Sequence, residues 1–205
     1  MIKTGHRFRT YTCLTILLIS AVLAGCGGLG KEPIYNNASN SDVTMVNSKE
    51  FKSGATLSVT SESLNDGVWD DDISNQGEMK NETPQLSFGK VDGALCYAIY
   101  MLDESADNWL HWKAEGITSN SLEQNTSIPA GTSEYIGPYP PSGTHTYTIY
   151  VFALKQEPDK DYPGDFNKAG MDAEEIYSVL DITDNSSGNV LAYGYLEGTY
   201  ESKKN

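Results

Sequence analysis

Histidine and cysteine are scarce in this 205-residue chain, three of each, and 14 basic residues stand against 28 acidic ones. The shortage of Lys and Arg argues against a nucleic-acid binder, because recognition of phosphate backbones needs clustered cations. It equally disfavours electrostatic docking on anionic lipid. The chain has no Gly-rich phosphate loop, no Gly-x-Ser-x-Gly elbow and no cysteine pair for zinc. No apolar run reaches the roughly 20 residues that span a bilayer. What is present suffices for a core, since 39% apolar and 10% aromatic residues exclude wholesale disorder. The length holds one ordinary domain or two small ones.

The N-terminus carries a short apolar run. Lys3, Arg7 and Arg9 precede residues 14–23, a stretch with the form of a secretory signal. It ends in Leu23-Ala24-Gly25-Cys26, which resembles the bacterial lipobox, where cleavage precedes a cysteine whose sulfur is acylated. On this reading residues 1–25 are removed, Cys26 is the lipidation site, and the protein is anchored outside the cytoplasm on the bacterial cell membrane. The alternative is an ordinary secreted protein with a spare cysteine. Processing takes the formal charge from −14 to −17, since three basic and no acidic residues leave. Cys13 and His6 leave as well, so Cys96 has no disulfide partner and only His111 and His145 remain as histidines. Cys96 lies in an apolar run and reads as a buried, inert thiol. Residues 26–50 are polar, rich in Gly and Asn and without period, and read as a flexible tether reaching about 25–30 Å.

Residues 51–205 carry the predicted domain, and its pattern is β-rich. Residues 55–60 alternate with Leu57 and Val59 on one face, and Leu86 and Phe88 repeat the period. Residues 95–102 are apolar on both faces, as in a central buried strand. Residues 144–152 give the strongest strand signal, with His145, Tyr147, Ile149 and Val151 on one face. One helix stands out: Asp172 and Glu175 have capping-box spacing, followed by Ile176, Val179 and Leu180. Residues 65–82 and 155–170 are polar and acidic. Neither has the ligand spacing of a helix–loop–helix calcium site, so both read as solvated loops, with no metal and no cofactor expected.

One segment carries more. Residues 135–154 contain Gly137, Pro138, Pro140, Pro141, Gly143, His145 and Tyr147 in the register Gly-Pro-x-Pro-Pro-x-Gly-x-His-x-Tyr. This closely resembles the signature of the phosphatidylethanolamine-binding protein family, which includes the Raf kinase inhibitor-like proteins of bacteria. Three more segments agree in order. Residues 82–88 resemble the family's Ser-Pro-x-Leu-x-Trp stretch, Trp109-Leu110-His111-Trp112 its Trp-x-His-Trp segment, and residues 189–200 its closing strand. The resemblance covers about residues 51–200.

It implies a mainly β fold, an antiparallel sandwich of a large sheet on a smaller one with few short helices. It also implies a small pocket for anions such as phosphate head groups, lined by Asp103, His111, Gly137, Pro140, Pro141, His145 and Tyr147. Imidazole and phenol groups can donate to an anion, and a proline-rich turn fixes a loop with little entropy left to lose. Asp103 could orient one histidine by accepting its second N–H and favour its charged form. The blander roles are a satisfied strand histidine, a core Tyr147 and prolines that only shape a turn. Trp109 and Trp112 flank His111, are expected on the opposite strand face and read as packing residues.

The departures matter too. The family's Asp-Pro-Asp-x-Pro is Asp103-Glu104-Ser105-Ala106-Asp107 here, and Thr146 follows the second histidine where Arg is common. The expected pocket is thus less electropositive and less rigid. The resulting expectation is a tethered, non-catalytic binding protein for a small anion or phosphorylated head group. The alternative is a protein-interaction module, inhibiting an extracellular protease or kinase through the two acidic loops. A hydrolase using Asp103 with His111 or His145 is the third reading, without an apparent activated Ser or Cys.

Overall fold

The computed structural model describes residues 48–128 and 132–204. The signal, Cys26 and the tether as far as residue 47 lie outside the described residues. Ten strands follow a first helix: α1 (Ser48–Ser53), β1 (Val59–Thr60), β2 (Leu64–Asn65), β3 (Val68–Trp69), β4 (Leu86–Phe88), β5 (Cys96–Asp103), β6 (Trp109–Ile117), β7 (Ser121–Leu122), β8 (Ser133–Tyr135), β9 (Thr144–Leu154) and β10 (Val190–Glu201), with α2 (Ala173–Leu180) before the last. They form a three-stranded sheet, β1-β4-β7, and a seven-stranded sheet, β2-β3-β10-β9-β5-β6-β8. All pairings are antiparallel except β3 beside β10.

The large sheet is the middle layer, which explains why its central strands are apolar on both faces. Every residue of β5 is buried. One face packs Ile99, Met101, Trp112, Tyr147, Ile149 and Val151 against Leu57, Val59, Leu86, Phe88 and Leu122 on the side of the small sheet. The other packs Ala98, Tyr100, Tyr150 and Phe152 against Ala173, Ile176 and Leu180 of α2. The expected alternation of residues 55–60 holds, with Leu57 and Val59 buried, although only Val59 and Thr60 pair as strand. The capping box of α2 also forms, with the Asp172 side chain accepting from Glu175 N–H at 2.8 Å and the Glu175 side chain accepting from Asp172 N–H at 3.1 Å. Burying Ile176 and Leu180 contributes about 1.5–3 kcal/mol each.

Helix α1 begins inside the stretch expected to be tether. Its Phe51 stacks on Tyr193 with ring centroids 4.5 Å apart, and Lys52 reaches Glu104 at 2.8 Å and Glu197 at 2.6 Å. Tertiary contacts thus stabilise a helix too short and too polar to announce itself by periodicity. Among the described residues, no helix is long and apolar enough to cross a membrane.

A β-bulge sits in β6. Met101 pairs with Trp112 and Leu102 with Leu110, which leaves His111 as the extra residue. The bulge breaks strand alternation, so Leu110 enters the core under α2 while Trp112 enters the core between the sheets. The His111 ring meets Tyr147 on that same side, with centroids 5.1 Å apart. Trp112 therefore does not lie on the face opposite His111, contrary to simple alternation. Trp109 is partly exposed and donates its indole N–H to Asn167 Oδ1 at 3.1 Å.

Candidate functional site

The ends of three neighbouring strands bring four of the predicted residues together. Asp103 closes β5 and stands in register with Tyr147 of β9 on one side and Trp109 of β6 on the other. His145 precedes Tyr147 by two residues and shares its face, as strand alternation requires. Its ring lies 6.4 Å from the Tyr147 ring, nearly parallel to it. Asp103, His111 and Tyr147 are buried, and the His145 side chain retains 15% exposure.

Hydrogen bonds fix both imidazoles. The Nδ1–H of His145 donates to Asp103 Oδ2 at 2.7 Å, while Asp103 Oδ1 accepts from Ser105 N–H at 2.9 Å. The histidine that Asp103 orients is thus His145. Nδ1 of His111 faces two carbonyl oxygens, Ile136 at 2.8 Å and Gly137 at 3.2 Å, so this nitrogen carries the hydrogen. Burial holds His111 below the usual imidazole range, against the smaller opposing effects of the Ile136 carbonyl and the Asp103 charge. The Tyr147 phenol is pushed well above its usual range by burial first and by the Asp103 carboxylate second, and it accepts from Tyr139 N–H at 3.3 Å. Neither Nε2 has a hydrogen-bonding partner among the described residues.

The loop behind these rings is held from a distance. Gly137, Pro138 and Pro140 are buried, whereas Tyr139 and Pro141 face outward. Ser74 Oγ donates to the Pro138 carbonyl at 2.9 Å, Gln76 Nε2 to that of Pro140 at 2.7 Å, and Gly137 N–H to Asn81 Oδ1 at 2.7 Å. Gly137 is required by crowding: a β-carbon there would lie 1.8 Å from the Ile73 carbonyl oxygen. Ser74, Gln76 and Asn81 were not legible as site residues. They belong to the acidic stretch 65–82, which is a clamp on the proline loop rather than a free loop, with Ile73 and Ser74 fully buried. The second acidic stretch is also tied down, with Lys113 Nζ donating to the Tyr162 carbonyl at 2.8 Å and Leu110 N–H to that of Lys168 at 2.8 Å.

Of the seven predicted residues, Asp103, His111, His145 and Tyr147 meet directly, and Gly137 joins them through its carbonyl. Pro140 forms the buried floor of the loop and Pro141 its outer turn. The cations on this side are lysines. Lys203 pairs with Asp71 at 3.1 Å and Lys204 lies 4.3 Å from the Tyr139 ring centroid. No arginine occurs after Arg9. The Ser105 hydroxyl accepts from Thr146 N–H at 2.9 Å. Among the described residues no group of three or more His, Cys, Asp or Glu side chains converges to hold a metal.

Comparison with known proteins agrees with this architecture. The sequence model described as phosphatidylethanolamine-binding protein matches residues 47–201. A UPF0098 protein of Methanothermobacter thermautotrophicus is 28% identical over 139 residues, spanning 59% of this chain and 83% of that protein. Two crystal structures share the fold with a TM-score of 0.54 and 23% identity, each covering 73% of this chain. One is a phosphatidylethanolamine-binding protein homologue, CT736, of Chlamydia trachomatis, matched over 99% of its length. The other is YbcL of E. coli, described as a member of the mammalian family and matched over its whole length.

Proposed function

The chain belongs to the phosphatidylethanolamine-binding protein family, and from that premise we propose that it is a non-catalytic binding protein whose site takes a small anion such as a phosphorylated head group. We place it outside the cytoplasm, held to the membrane by lipid on Cys26. The observation that carries the reading is the meeting of Asp103, His111, His145 and Tyr147 beneath a proline loop braced by Ser74, Gln76 and Asn81. Such bracing keeps the rings in place before a ligand arrives, which lowers the ordering cost of binding. A binding role also fits the hydroxyl of Ser105, whose oxygen is engaged by Thr146 N–H at 2.9 Å.

Soaking crystals with phosphate, acetate and phosphoethanolamine tests the site. Density for an anion against His145 and His111 is the expected result, and a site empty under all three refutes the reading. Replacing Cys26→Ala tests the tether. The variant is expected in the soluble fraction, and retention on membranes refutes lipid anchoring.

A further inference from the structure

The hydrogen bonds that fix the two imidazoles also determine what each can offer a ligand. His111 spends its Nδ1–H on the Ile136 and Gly137 carbonyls, so in the neutral ring Nε2 is a lone pair. It accepts and does not donate. His145 spends its Nδ1–H on Asp103, so its Nε2 donates only when the ring gains a second proton. With both rings neutral, an anion would meet two lone pairs and a buried carboxylate, and no imidazole would donate to it.

From this geometry we propose that the site takes an oxyanion carrying one hydroxyl, a monoprotonated phosphate group, rather than a fully ionised anion. The hydroxyl donates to His111 Nε2, and a charged oxygen accepts from Nε2–H of a protonated His145. The inference rests on the anion-binding reading above and names the protonation state that reading leaves open. Asp103 is the counter-ion for the proton gained by His145. Of the other groups around His145, burial disfavours a charge on His111 of β6, Tyr147 lies on its own strand, and Tyr200 of β10 stands opposite with its phenol donating to Asp71 at 3.0 Å and Lys203, the partner of Asp71, 5.3 Å from its ring centroid. Ligand binding and proton uptake are therefore linked.

Two monoanions of equal charge separate the claims. At about pH 5 methyl phosphate carries one charge and one hydroxyl, its second ionisation lying near pH ~6. Methanesulfonate carries the same charge and no hydroxyl. Isothermal titration of the purified protein is expected to show methyl phosphate binding about tenfold more tightly, the scale of one hydrogen bond to a buried acceptor. In His111→Gln the amide can rotate its NH₂ into place, so methanesulfonate is expected to gain and the preference to vanish. Equal wild-type affinity for the two probes overturns the proposal while leaving anion binding intact. A preference that survives in His111→Gln does the same. Failure of both probes to bind at any pH overturns this proposal and the proposed function together.

Discussion

Adding one methyl group at Gly137 is the most direct test of how the site loop is held. The β-carbon of Gly137→Ala would fall 1.8 Å from the carbonyl oxygen of Ile73, 2.8 Å from its carbonyl carbon and 3.1 Å from the Asn75 nitrogen. All three are backbone atoms, so no rotamer change relieves the contact. β-Carbons essentially never sit below 3.0 Å from another heavy atom, and the two strands of backbone must separate by at least 1.2 Å. A shift of that size stretches the bonds that join them: Gly137 N–H to Asn81, Ser74 Oγ and Asn75 N–H to Pro138, and Gln76 to Pro140. Losing two or three of these, with buried carbonyls left unpaired, costs about 3–5 kcal/mol. That is a large part of the roughly 5–15 kcal/mol by which a domain is stable. Urea unfolding followed by tryptophan fluorescence measures it, with Gly143→Ala as the control. Gly143 has φ +66° and open space around it, so its alanine variant meets only the left-handed conformational cost of about 1 kcal/mol. If Gly137→Ala is no more destabilising than Gly143→Ala, the close approach of the two backbones is not what demands glycine.

Three further outcomes follow from buried groups. His111 is kept neutral below its ordinary 6.5 by burial, so below that pH the unfolded chain binds a proton the native one refuses. Its contribution to stability is complete above 6.5 and declines as pH falls toward the lowered native value; urea midpoints should drop more on acidification in the wild type than in His111→Gln, and equal drops refute the assignment. Cys96 is buried and its thiol is pushed up to about 11 by burial and then by the Glu157 charge. Iodoacetamide should leave it unmodified in the native domain at neutral pH and label it in urea; rapid native labelling contradicts this. Lys52→Met leaves Glu104 and Glu197 facing each other without their shared cation. The expected loss is about 1–2 kcal/mol, below that of a fully buried pair because Glu197 is half exposed, and Glu197→Gln in the same chain should restore part of it.

Periodicity and chemistry made different parts of this molecule legible in its sequence. Strands β5 and β9 show themselves because one is apolar throughout and the other is dense in β-branched and aromatic residues, and α2 because its capping box is local. The pair His145 and Asp103 was readable only through the motif around Gly137 and Tyr147, since nothing in the chain between them, 42 positions apart, marks them as partners. The bulge at His111 escaped because one extra residue in β6 changes no composition, yet it reverses which face Trp112 occupies. Ser74, Gln76 and Asn81 escaped for a related reason. They act through single side-chain bonds to carbonyls or an N–H in a distant loop, and such bonds leave no period in a stretch that otherwise looks like solvated acid. The first three residues of α1 read as tether because the helix draws its stability from Tyr193, Glu104 and Glu197, all far along the chain.

The clamp on the proline loop has a consequence for how the protein comes into being. Ser74 and Pro138 are 64 residues apart, and Gln76, which grips Pro140, itself accepts from Lys203 N–H, 127 residues further on. Contacts of such separation form late, after loop closure has been driven by the core. The paired imidazoles are therefore assembled only when nearly the whole chain has been synthesised and folded. A nascent or truncated chain ending before the closing strand could carry all seven predicted site residues and still lack both the Lys203 bond to Gln76 and the β10 pairing opposite His145, so the finished arrangement around His145 reports completion of the molecule.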